Sequence, residues 1–168
     1  MGAHDCGYVV SVGRESVLLA LVSGDIQCDG YAVLRRADVA EVHAGERERV
    51  RDAIIKKRGA LPGIVPKFNL DDIAETIRSI NKLHVISAVY REYRWKDEFL
   101  VGVPICITKK MVRFSYLNTC AKWDGEFRAM LASISKIEFG TIYLTGLASV
   151  ADDAPNVEHD EIKRKKGK

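Results

Sequence analysis

The chain has 168 residues, 47% of them apolar, 29% charged and 8% aromatic, with a formal net charge of +3. This balance excludes a disordered protein, a collagen, a coiled coil and a membrane-spanning bundle, and so small a charge excess excludes strong polyanion binding by the chain as a whole. Residues 7–42 read as short strands: Tyr8, Val10 and Val12 alternate with Val9 and Ser11, and Val17, Leu19 and Leu21 share a face. Asp29-Gly30 is a hairpin dipeptide, and residues 31–34 and 39–42 are expected to complete the set. Residues 46–58 predict a helix, with Val50, Ile54 and Ile55 at helical spacing, glutamates first, Lys56, Lys57 and Arg58 last, and Gly59 as the stop. A second helix is expected after Asn69 as N-cap, with Phe68 stapled to Ile73 and a stripe of Ile73, Ile77, Ile80 and His84. Strands then resume over 85–95, 99–107, 111–117, 127–134, 137–139 and 141–147, with Asp124-Gly125 as a second turn. Beyond Val150 the apolar pattern stops.

The expected organisation is therefore a first small β-barrel unit over residues 1–45 and a helical connector over 46–84 that contributes to the second unit. A second small β-barrel unit follows over 85–150, and residues 151–168 form a disordered charged tail. Cys6, Cys28, Cys106 and Cys120 lie far apart without a Cys-x-x-Cys pair, which favours free thiols in a reducing, cytoplasmic setting. No basic-then-apolar leader is read at the N-terminus.

A shift of 95 residues pairs the two β regions without a gap. Gly7 meets Gly102, Val17 meets Val112, Asp29-Gly30 meets Asp124-Gly125 and Ala37 meets Ala132. These five are the only identities in 36 positions, but the apolar phase agrees throughout: Val10 with Ile105, Leu19 with Phe114, Leu21 with Tyr116, Val39 with Ile134. The pattern predicts a tandem structural repeat. Residues 7–42, and more loosely 70–147, resemble uncharacterised bacterial Sm-like proteins of the SH3-like small-barrel superfamily. The resemblance implies a mainly β fold with helices, in which two Sm-like barrels of about five strands are joined by a helical segment. It also implies assembly through strand edges. The family's Asp-x-aromatic-x-Asn loop and its Ile-Arg-Gly element are missing, so none of its RNA-contacting residues carries over.

Chemistry-bearing motifs are sparse. Phosphate-binding glycine loops and a nucleophile elbow are absent from the sequence, and His4, His43, His84 and His159 have no ligand-spaced partners. Asp71-Asp72 belongs to a helix start. No catalytic residue, metal site or cofactor is expected. The one functional-looking stretch is Tyr90, Arg91, Tyr93, Arg94, Trp95 and Lys96, where rings and cations alternate on a predicted strand. Lys122 and Trp123, with Arg128, would extend it into a platform for single-stranded nucleic acid. The basic run over 163–166 would assist. The leading expectation is a non-enzymatic binding module for protein interaction or self-association, without membrane attachment; RNA binding through the basic-aromatic strand is the alternative.

Overall fold

A computed structural model describes residues 4–59, 67–83, 86–91 and 99–153. Eight strands form one antiparallel sheet: β1 (Gly7–Val12), β2 (Ser16–Val22), β3 (Cys28–Arg35), β4 (Ser87–Tyr90), β5 (Phe99–Ile107), β6 (Met111–Leu117), β7 (Trp123–Met130) and β8 (Lys136–Phe139). Their order is β1-β2-β3-β8-β4-β5-β6-β7. Three helices complete the described residues: α1 (Glu46–Arg58), α2 (Ile73–Leu83) and α3 (Ile142–Val150).

The protein is thus mainly β, but the sheet does not close. In place of the two separate barrels expected, β8 lies between β3 and β4 and fuses both halves into one surface. The larger of two core clusters among the described residues spans them, and a smaller one packs Ile86, Val101, Val103 and Leu117 of the second half against Leu144 of α3. Leu18 and Val33 from the first half meet Ile77 and Ile80 of α2 and Val112, Phe114, Ile137 and Phe139 from the second. Phe139 is the joint, its ring stacked on Tyr31 at 5.6 Å and met edge-on by Phe68 at 5.5 Å. Phe68 therefore packs across the sheet as well as near its own helix.

The strand trios β1–β3 and β5–β7 repeat the same backbone details 95 residues apart. β2 and β6, and β3 and β7, have matching boundaries, and each trio ends in a 3-10 turn, Arg36–Asp38 or Leu131–Ser133. The register slips between Val9 and Ser11 in one trio and between Pro104 and Cys106 in the other. A second slip lies between Ala20 and Val22, and again between Ser115 and Leu117. Ile26 and Ala121 occupy the same turn position with φ of 59° and 57°. Each turn is closed by the same pair of backbone bonds, Ser23 N–H to Gln27 and Ile26 N–H to Ser23, against Asn118 N–H to Lys122 and Ala121 N–H to Asn118. Asp29-Gly30 and Asp124-Gly125 are not these turns. They sit just inside β3 and β7 as two residues facing one, with Gly30 and Gly125 at φ of 68° and 74°. A bulge of this kind needs glycine at the left-handed position and bends the strand.

Two further expectations change. Residues 39–42 are irregular and form no strand, although their counterparts run into β8. Residues 142–147 lie in a helix, not a strand: Thr141 caps α3 by accepting from Leu144 N–H, and Asp29 Oδ1 accepts from Ile142 N–H at 2.6 Å. A short uncharged apolar run satisfies either periodicity, and these two caps decide for the helix. At α2 the cap is Asp72, which accepts from Ala74 and Glu75 N–H at 2.8 and 3.1 Å; Asn69 instead accepts from Asp71 N–H. α1 forms as expected from its charge order and from Gly59 at φ 65°. Of its apolar stripe only Ile55 is buried, while Val50 stands in solvent. Polar contacts hold α1 to the first trio: Tyr8 Oη donates to Asp52 at 2.9 Å and Arg51 to Cys6 Sγ at 3.1 Å.

Candidate functional site

An open cleft of about 1130 Å³ lies at one end of the sheet. The β1–β2 turn (Arg14, Glu15) and the β5–β6 turn (Thr108, Lys109) both reach it. So do both 3-10 turns, through Arg36 and Ala37 on one side and Leu131 and Ala132 on the other, with the first turn of α2 between. Corresponding parts of the two trios therefore face a common space. Ile73, Ala74 and Leu131 supply its apolar lining.

The charged groups around the cleft divide into committed and uncommitted ones. Glu15 accepts from Ile73 N–H at 3.3 Å, and Asp72 closes the rest of the α2 N-terminus. Glu75 pairs with Arg78 at 2.5 Å, and Arg78 also donates to the Ile107 carbonyl. Arg14 donates to the Asp71 carbonyl at 3.2 Å, and its backbone N–H to the Asp71 carboxylate. Arg35 ties the two trios together, donating to the carbonyls of Leu131 and Ala132 and lying 3.8 Å from Asp38. Arg36 and Lys109, one from each trio, form no ion pair among the described residues. Ser16, 1% exposed, lines the cleft, and its hydroxyl has no hydrogen-bond partner among the described residues.

A second polar cluster lies where β8 meets β4. Lys136, 7% exposed, bonds Asp5 at 2.8 Å and Glu138 at 3.0 Å, and its ammonium sits 4.1 Å over the Tyr90 ring. Tyr90 Oη donates to Glu138 at 2.9 Å. Burial works against the Lys136 charge, but the bond to Asp5 and the charge of Glu138 outweigh it and raise its pKa above the ordinary lysine value. This ammonium is a locked cation that pins residue 5 to β8, not a proton acceptor at neutral pH.

The expected basic-aromatic platform is placed only in part. Tyr90 is half-buried, stacked on Phe99 at 5.2 Å and bonded as above. Arg91 is 6% exposed and donates to the Arg128 carbonyl at 3.3 Å. These two side chains are turned to internal contacts rather than to a ligand. Tyr93, Arg94, Trp95 and Lys96 lie outside the described residues, as do His84 and the basic run over 163–166. Lys122 is exposed beside Trp123, whose indole N–H donates to the Asp152 carbonyl at 3.1 Å. The cleft residues escaped sequence reading because no local spacing joins positions 14–16, 35–37, 72–78 and 108–109. The one available signal was the 95-residue shift, which sets Arg14 against Lys109.

Among the described residues no three His, Cys, Asp or Glu side chains gather as metal ligands, and no helix is long and apolar enough to cross a membrane. No protein-family model, curated protein or solved structure matches this chain.

Proposed function

We propose that the protein is a non-enzymatic interaction module, built from two copies of one strand unit, that self-associates by adding strands to its open sheet edge. The matched slips, turns and bulges at a 95-residue offset support the duplication. Within the chain the two trios are already joined by strand pairing through β8, so edge pairing is the assembly mode this backbone uses.

One observation chooses the edge. β1 and β7 end the sheet. β7 carries Asp124, Glu126 and Arg128 on exposed positions, the charged blunting typical of a protected edge. β1 carries no charge over its six residues, and Val9 and Val12 are 58% and 57% exposed. An uncharged, apolar strand with no strand on its outer side among the described residues is a template for a further strand. The partner is a second copy, β1 against β1, since antiparallel self-pairing gives the two-fold closure most common among dimers.

Light scattering after size exclusion tests this. The full chain is expected to run as a dimer, and Val9→Lys, which places a gatekeeper charge on the edge, is expected to run as a folded monomer. A monomeric wild type at ~100 µM, or a dimer indifferent to Val9→Lys, overturns the proposal.

A further inference from the structure

We propose that the cleft between the two trios binds a phosphate-bearing ligand of roughly nucleotide size. A cleft of about 1130 Å³ holds such a molecule. Glu15 and Asp72 are spent on the α2 N-terminus and Glu75 on Arg78, while the Arg14 guanidinium is engaged by the Asp71 main-chain carbonyl. Arg36 and Lys109, one from each trio, line the cleft as cations without a carboxylate partner among the described residues. That arrangement suits a dianion lying across the junction, with Arg36 offering a planar fork and Lys109 a point charge.

The buried Ser16 hydroxyl is independent of this charge count. The corresponding position in the second trio is Met111, within an equivalent strand and turn, so the backbone has no need of a hydroxyl there. A buried unpartnered hydroxyl costs free energy unless something accepts or donates to it. A phosphate oxygen in the cleft is a suitable acceptor. The apolar lining of Ile73, Ala74 and Leu131 gives a ring system a dry face beside the charged rim.

Calorimetric titration of the full chain with pyrophosphate, ADP, adenosine and an RNA hexamer tests the proposal, each at low and high salt. Pyrophosphate and ADP are expected to bind and adenosine to fail, with affinity falling as salt rises. Saturation by ADP points to a free nucleotide. Binding of the hexamer without ADP points to a nucleic-acid backbone. Either outcome supports the phosphate site. Arg36→Ala with Lys109→Ala, both on exposed positions, is expected to weaken binding about tenfold or more, and Ser16→Ala about threefold to tenfold. Lys57→Ala, on exposed α1 and not lining the cleft, should change nothing. No binding of any phosphate probe, equal binding of adenosine, or indifference to the double substitution overturns the proposal.

Discussion

The two strand trios share a backbone and differ in which face they bury. In the first, Leu18 and Val33 are fully buried against α2 and the second half. Their counterparts in the second trio are Arg113 and Arg128, half-exposed and exposed, with Arg113 lying 3.6 Å from Glu126. The second trio turns its other face inward, through Val112, Phe114 and Ala129. One pattern of slips and turns thus carries two burial patterns, with leucine and valine at two positions of one trio where the other has arginines. Bulges and left-handed corners set the shape of a sheet, and alternation along each strand sets what it packs against.

The most severe way to break this relation is to give the first trio the second trio's residue. Leu18→Arg buries a guanidinium with no counterion and is expected to cost about 4 kcal/mol or more, enough to prevent folding. Arg113→Leu should fold with stability changed by less than about 1 kcal/mol but lower solubility, because it enlarges an exposed apolar face. Urea denaturation measures both. Phe139→Ala removes the joint and is expected to cost about 3–5 kcal/mol in a single transition, since the larger core cluster is shared by both halves. Two separate transitions would mean that the halves fold independently.

A finer comparison uses the two bulge glycines. At Gly30 an added Cβ would lie 2.6 Å from Gly140 and Phe139 backbone atoms, while at Gly125 it would meet open space. Both have positive φ. Gly125→Ala is expected to cost about 1 kcal/mol from backbone strain alone, and Gly30→Ala at least twice that through the added collision. Equal costs would show that the corner before α3 is not tightly packed.

Lys136 distinguishes the joint by pH. Its folded pKa is raised, so its stabilising contribution is complete below the unfolded lysine value of ~10.4 and is lost as pH rises through the folded value. Stability should be insensitive to this group at neutral pH and fall above about pH 10.5. Lys136→Met should cost about 1–3 kcal/mol and remove that alkaline component, read by thermal melts at pH 8 and 11. The smallest effect concerns the strained turns. Ile26→Gly relieves a β-branched residue at φ 59° and is expected to stabilise by up to about 1 kcal/mol, with Ala121→Gly gaining less.

Much of the fold was legible from local chemistry. The alternation over 7–22 and 99–117, the charge order of α1 and the stripe of α2 each specify one element, and the 95-residue shift marks positions that share backbone geometry. What was missed depends on neighbours distant in sequence. Asp29 caps α3 across 113 residues, turning an apolar run expected as a strand into a helix. Residues 39–42 have strand-forming side chains but no partner strand, whereas residues 136–139 find two. Closure of each trio into its own barrel could not be judged from pattern, because whether β8 serves one half or both is a matter of pairing. The cleft was equally hidden, for its cations become neighbours only once both turns and α2 are in place.

Amide hydrogen exchange on the outer edges of β3 and β7 tests the whole arrangement most directly. β8 pairs with β3 from Tyr31 to Leu34, whereas the corresponding stretch of β7, Glu126 to Ala129, has no strand beyond it among the described residues. Outward amides of Ala32 to Leu34 should exchange orders of magnitude more slowly than those of Phe127 to Ala129. Equal protection of the two edges would contradict the joining of the halves through β8.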